Sequence, residues 1–104
     1  MARRVVWAPR SRYDIRLVCH FLERDSPEAA KKFAQAVIRA GRSLADFSER
    51  GRVVPELGEP NVRELFISSY RLIYEVSQDR VAVLRVIHGS RDLLAAWGRR
   101  NLED

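Results

Sequence analysis

With 104 residues, 46% of them hydrophobic and 32% charged, the chain has material for one domain with one core. Its single cysteine, Cys19, excludes a disulfide framework and a cysteine-based zinc site, and no apolar run approaches the roughly 20 residues needed to span a bilayer. The net charge of +5 is carried by 17 Arg and only two Lys, Lys31 and Lys32, which suits an acidic partner or nucleic acid but is also what a GC-rich genome writes.

The excess is uneven. Residues 1–24 hold six Arg against Asp14 and Glu23, residues 25–61 are neutral, and residues 62–104 carry +1. Met1 to Trp7 lacks the apolar stretch of a signal peptide, so the expected compartment is the cytoplasm.

In chain order, Arg3 to Ala8 alternates weakly and predicts a short first strand. Pro9 suits the first turn of a helix that runs to Arg24. Its apolar residues recur as Ile15, Val18, Cys19 and Leu22, with a second row of Tyr13, Leu17 and Phe21, leaving Arg12, Arg16, His20 and Glu23 in water. The segment Ser26-Pro27-Glu28 starts a second helix: Ser26 caps, Pro27 needs no N–H donor partner, and Glu28 meets the positive end of the dipole. The stripe Ala30, Phe33, Val37, Ala40, Leu44, Phe47 has helical spacing throughout, and the small row Ala34, Ile38, Gly41, Ala45 allows close approach to the first helix. A helical hairpin is predicted.

Gly51, Pro55, Gly58 and Pro60 mark Ser48 to Asn61 as a loop. Period two then sets in, predicting strands over Val62–Ile67, Tyr70–Ser77 and Arg80–His88 with turns at Ser68-Ser69 and Gln78-Asp79. Ser90 is placed to cap a short final helix carrying Leu93, Leu94 and Trp97, followed by a polar tail, Gly98–Asp104. The predicted fold class is α+β, one domain over 1–104: a strand, a helical hairpin packed on an antiparallel sheet, and a short C-terminal helix.

Two-residue turns define a register. They set Leu65 opposite Leu72, Phe66 opposite Arg71, Tyr74 opposite Val83 and, by continuation, Arg71 opposite Val86. One sheet face then holds Leu65, Ile67, Tyr70, Leu72, Tyr74, Val76, Val81, Val83 and Ile87, the seat for the hairpin. The other holds Glu64, Phe66, Arg71, Ile73, Glu75, Leu84, Val86 and His88, with Arg91 just beyond. Half apolar and half charged, that second face needs a cover: the C-terminal helix, a partner segment, or both.

Chemical motifs are otherwise scarce. No Gly-rich phosphate loop, metal-spaced His pair or nucleophile elbow occurs, so neither metal nor cofactor is expected. His20 reads as a surface residue, Cys19 as a core filler, Trp97 as a helix anchor, and Arg99-Arg100 as a solvated helix end.

The stretches Val62-Arg63-Glu64-Leu65, Tyr70-Arg71-Leu72-Ile73-Tyr74-Glu75-Val76 and Val86-Ile87-His88-Gly89-Ser90-Arg91-Asp92 resemble the ParE/RelE superfamily of bacterial toxins. Ser26-Pro27-Glu28-Ala29-Ala30 and Gly51-Arg52-Val53-Val54-Pro55-Glu56 are similar to it too, so the resemblance covers the whole chain. It implies the toxin half of a type II toxin–antitoxin module of the plasmid-stabilising kind, in a hetero-oligomer with a ParD-like or RelB-like antitoxin. In the RelE type, which cuts mRNA on the ribosome without metal, the resemblance puts catalytic arginines at Arg71 and Arg91, with Glu56 or Glu64 as base and His88 as acid. That type carries two lysines where this chain has Val62 and Glu64, and a tyrosine where it has Trp97. The Arg63-Glu64-Leu65 and His88-Gly89-Ser90-Arg91-Asp92 signatures are closer to the ParE type, which inhibits DNA gyrase by binding it. The implied target- or antitoxin-binding residues are Arg63, Glu64, Phe66, Arg71, Ile73, Leu84, Val86, His88, Arg91 and Trp97.

Overall fold

A computed structural model of the chain describes residues 2–97. Strand β1 (Arg4–Trp7) leads into helix α1 (Pro9–Glu23) and, after a tight turn, helix α2 (Pro27–Ser43). Four strands follow, β2 (Arg52–Val53), β3 (Val62–Ile67), β4 (Tyr70–Val76) and β5 (Arg80–His88), and then helix α3 (Leu93–Trp97). The predicted tail Gly98–Asp104, with Arg99 and Arg100, lies outside the described residues.

The helix starts follow the sequence signals. Ser26 Oγ accepts the Ala29 N–H at 3.1 Å, with Pro27 in the first turn. Ahead of α1 there is no side-chain cap; the buried Ser11 instead donates its hydroxyl to the Ala8 carbonyl at 2.7 Å. Ala30, Phe33 and Val37 of α2 are buried as the stripe requires, but the helix ends at Ser43, the phase is lost, and Phe47 is 66% exposed. On α1 the row Tyr13, Leu17 and Phe21 is also exposed, because α2 and the sheet cover only the Ile15, Val18, Cys19 and Leu22 side. Of the small row on α2, Gly41 accommodates the Trp7 ring rather than α1. A Cβ there would lie 2.3 Å from a ring carbon.

The sheet has five strands in the order β1-β5-β4-β3-β2. β1 is parallel to β5, and every other pairing is antiparallel. The loop read over 48–61 thus contains β2, which forms one sheet edge. One core lies between the hairpin and the sheet, built on Phe33, Val37, Leu44, Leu72, Tyr74, Val81, Val83 and Val86. A smaller one on the opposite sheet face joins Val54, Val62, Ile73, Ile87, Leu93 and Trp97. The cover expected for that face is therefore supplied within the chain, by α3 and the loop around Val54 and Leu57. Asp92, not Ser90, caps α3: its carboxylate accepts the Ala95 N–H at 3.3 Å.

The β3–β4 register is as predicted throughout. In the β4–β5 pair, Val76 faces Val81 and Tyr74 faces Val83 as predicted, but a bulge follows, so that Ile73 pairs with Arg85, Leu72 with Val86 and Arg71 with Ile87. The extra residue is Leu84. Inserting one residue exchanges the faces of everything after it. Val86 therefore packs under the hairpin and Ile87 joins the second face, the reverse of the sequence reading.

The bulge coincides with the end of β1, whose last pair is Trp7 with Val83. Beyond it β5 has no strand on that side. Asp14 of α1 fills the gap: its carboxylate accepts the Val86 N–H at 2.9 Å and two bonds from Arg85, at 2.8 and 3.3 Å. Arg85 also donates to the Ala96 carbonyl at 3.0 Å. One buried ion pair thus ties α1, β5 and α3 together, with both side chains at most 5% exposed.

Candidate functional site

The second sheet face carries a linear chain of charges. At its centre is Arg71, on a strand whose alternation sends Leu72 into the main core and Arg71 the other way. Its Nε donates to Glu64 Oε1 at 2.6 Å, and its two terminal nitrogens donate to Glu56 Oε2 and Oε1 at 2.7 and 2.8 Å. The other oxygen of Glu64 accepts from Arg52 Nε at 2.7 Å. The sequence Arg52–Glu64–Arg71–Glu56 alternates in sign and sums to zero.

Local structure dictates each position. Glu64 stands on β3 one step from Arg71 on β4, since Phe66 is the directly paired residue and Glu64 faces Ile73. Arg52 pairs with Glu64 across β2 and β3. Gly51 seats this edge: its N–H donates to the Tyr74 hydroxyl at 3.0 Å, and a Cβ there would lie 2.5 Å from the Glu64 carbonyl oxygen. Arg63, on the opposite face from Glu64, donates to the Gly51 carbonyl at 2.8 Å and so straps the same loop from the other side. Glu56 then reaches Arg71 from the loop that also buries Val54 and Leu57.

Electrostatics follow the geometry. The Arg71 fork holds the Glu56 carboxyl at about 2, well below its ordinary 4.5. The same bonds, Glu56 first and then Glu64, keep Arg71 more firmly protonated than a free arginine. Burial raises the Tyr74 hydroxyl, and burial, with the Glu23 charge second, raises the partly buried Cys19 thiol.

The candidate residues fall into three groups. Glu64, Arg71 and Ile73 are buried within the second face, and Trp97 and the partly buried Leu84 pack on it. Val86 and His88 lie on the hairpin side: Val86 is in the main core, and the His88 ring stands edge-on to Tyr70 at 5.2 Å. His88 Nδ1 accepts the Ser90 N–H at 3.1 Å. Phe66 and Arg91 are exposed, Phe66 with the Arg52 guanidinium 5.5 Å from its ring centroid. The structure therefore brings together Glu56, Glu64 and Arg71 and separates His88 from them. Among the described residues no group of three or more His, Cys, Asp or Glu is placed to hold a metal ion.

Arg52 and the Asp14–Arg85 pair escaped sequence reasoning. A signal for Arg85 existed: strict alternation from Val81 and Val83 puts an arginine on the core-facing side, a misfit that a bulge resolves.

Chemically, a carboxylate held near 2 is a weak base at neutral pH, where an effective one needs a value close to the working pH. A guanidinium forked onto two carboxylates and 4% exposed has no free edge for a phosphate. The arrangement is built to hold a surface in place.

Comparison with known proteins decides the family. Residues 5–93 match the family model described as the ParE toxin of the type II toxin–antitoxin system parDE. The chain belongs to the ParE/RelE toxin superfamily. It is 33% identical over 88 residues to Toxin RelE2 of Caulobacter vibrioides, a match spanning 84% of this chain and 96% of that protein. Its fold resembles the chromosomal ParDE system of P. aeruginosa (TM-score 0.68, 20% identity, 84% of this chain and 96% of that one). It also resembles the RelBE2 toxin–antitoxin complex of Mycobacterium tuberculosis (TM-score 0.57, 19% identity, 85% and 99%). As a ParE/RelE toxin it is the toxin component of a type II module. The α+β architecture read from the sequence is the family's own.

Proposed function

We propose that this toxin is of the ParE kind: it inhibits DNA gyrase by binding it, acts in the cytoplasm, and is neutralised by a cognate antitoxin bound directly to it. The observation that carries this reading is the state of Arg71. The arginine that a ribonuclease needs free is buried, with its Nε and both terminal nitrogens bonded to Glu64 and Glu56, and His88 stands on the opposite face of the sheet. Binding requires no catalytic set, and the exposed Phe66, Arg52 and Arg91 offer the anchors such contacts favour. The match to a parDE family model over 5–93 is consistent with this branch, and the solved ParDE and RelBE2 systems make an antitoxin the natural partner.

A second reading is a RelE-like, metal-free endoribonuclease acting on ribosome-bound mRNA. The relative named Toxin RelE2, at 33% identity, favours it. Expression of the chain without its antitoxin separates the two. Gyrase inhibition leaves cleaved DNA and an SOS response, whereas ribonuclease action halts translation and fragments mRNA. Intact DNA with cut mRNA would sink the gyrase reading.

A further inference from the structure

Helix α1 carries a second apolar row that the described part of the chain leaves in water. Among the described residues seven large hydrophobic side chains stand exposed, and three of them, Tyr13, Leu17 and Phe21 at 47, 50 and 58%, line up four residues apart on this one helix. They span about 12 Å of its axis. Beside the row lies a hollow of about 460 Å³ lined by α1 alone, by Tyr13, Arg16, Leu17, Cys19, His20 and Glu23. Tyr13, Arg16, Leu17 and His20 stand at i, i+3, i+4 and i+7, the outline of the hole into which a facing helix inserts a side chain. The solvent side of α1 thus presents knobs and a hole together.

The row reads alike in both directions. Leu17 is at its middle, with an aromatic ring one turn away on either side. A two-fold axis through Leu17, perpendicular to the helix, sets Leu17 against Leu17 of a second copy and Tyr13 against Phe21, so each copy offers the surface the other needs. The same register brings Arg12 level with Glu23 of the second copy, twice over, and the Glu23 side chain is 60% exposed. Arg10 and Arg24 come level as well and repel. Arg10, however, is turned onto the Tyr13 ring, 5.6 Å from its centroid, and faces Asp14 at 3.6 Å. The three half-exposed side chains offer roughly 300 Å² of apolar surface per copy, at about 200 Å² for a whole aromatic side chain. With its flanks the pair buries on the order of 1,000 Å², the low end for a specific interface, which suits a weak and reversible dimer.

We infer that the outer side of α1 is a self-association surface: two copies of the toxin pair antiparallel through Tyr13, Leu17 and Phe21, two-fold about Leu17. The contact lies across the sheet from Arg71 and holds whichever target the toxin has.

The test uses the full chain, free of antitoxin. Sedimentation through a micromolar concentration series is expected to show the mass rising from monomer to dimer. Leu17→Asp, which puts two carboxylates on the axis, is expected to hold it at monomer while the thermal unfolding curve stays close to wild type. Cross-linking reads the register. In a Cys19→Ala background, a short bis-maleimide should join Leu17→Cys to itself, and Tyr13→Cys to Phe21→Cys when the two are mixed. Phe21→Cys alone should give little product, since its two copies lie about 12 Å apart along the axis. Should Leu17→Asp fail to fold, the cysteine variants carry the test. A monomer at every concentration overturns the dimer, as does equal cross-linking at all three positions, which is random collision. Dimers that survive in a folded Leu17→Asp overturn the placement on α1. A wild-type monomer whose folded Leu17→Asp variant loses the antitoxin gives the row to the antitoxin instead.

Discussion

At Arg71 the energetics turn on what remains when one partner is taken away. Glu64 has no exposed side-chain surface and both of its oxygens are bonded, so Glu64→Ala leaves two guanidiniums facing a vacancy. The expected loss is about 3 kcal/mol, at the lower end for a broken buried pair because Glu56 still holds the other edge of Arg71. Arg52→Ala, with a side chain 60% exposed, is expected to cost under about 1 kcal/mol. Urea denaturation of the two variants checks the contrast; equal losses would mean the charges are not ranked by burial. Glu56 supplies a pH test. Its folded value lies below its unfolded one, so its contribution is fully present above about 4.5 and is lost as pH falls toward about 2. Glu56→Gln should flatten the stability–pH slope in that window and leave the slope above it unchanged, read from denaturation midpoints across pH.

The elements are held by contacts remote in sequence. Asp14 serves α1, β5 and α3 at once through Arg85 and the Val86 N–H. Asp14→Ala is expected to cost about 3–5 kcal/mol, because it strands a buried charge and a buried donor together. Adding Arg85→Met to that variant should recover much of the loss, and a double-mutant cycle in urea measures the coupling. No recovery would show that the Val86 N–H, rather than the charge, dominates. At the other sheet edge, Gly51→Ala pushes a methyl against the Glu64 carbonyl and the Tyr74 hydroxyl. Backbone there cannot yield cheaply, so about 1–3 kcal/mol should be lost. Because β2 and the Glu56 loop share this seat, the loss should bring faster amide exchange in residues 52–57, which hydrogen-exchange mass spectrometry reads directly.

For the molecule as a whole, the toxin reading and the placement of charge meet on opposite surfaces. The Arg52–Glu64–Arg71–Glu56 chain is neutral and lies on the face shared with α3, while uncompensated arginines gather on the hairpin. If the Arg71 chain is a scaffold, Arg71→Lys, which cannot fork onto two carboxylates, should lower toxicity only in proportion to lost stability. Growth inhibition after antitoxin-free expression, set beside the unfolding midpoint, tests this; abolished toxicity in a fully folded variant would restore the ribonuclease reading. What the sequence by itself determined was everything written in short-range periodicity and caps: the hairpin from Ser26-Pro27 and its stripe, three strands from period two, the β3–β4 register from a two-residue turn, and the family. The tertiary structure alone decided which face each residue after Leu84 occupies, that Glu56 and Arg52 converge on Arg71 and Glu64, and that Asp14 meets Arg85. A bulge shifts every later side chain to the other face without altering composition, and although the misfit of Arg85 in strict alternation hints at it, nothing in the local pattern names Asp14, 71 residues away, as its partner.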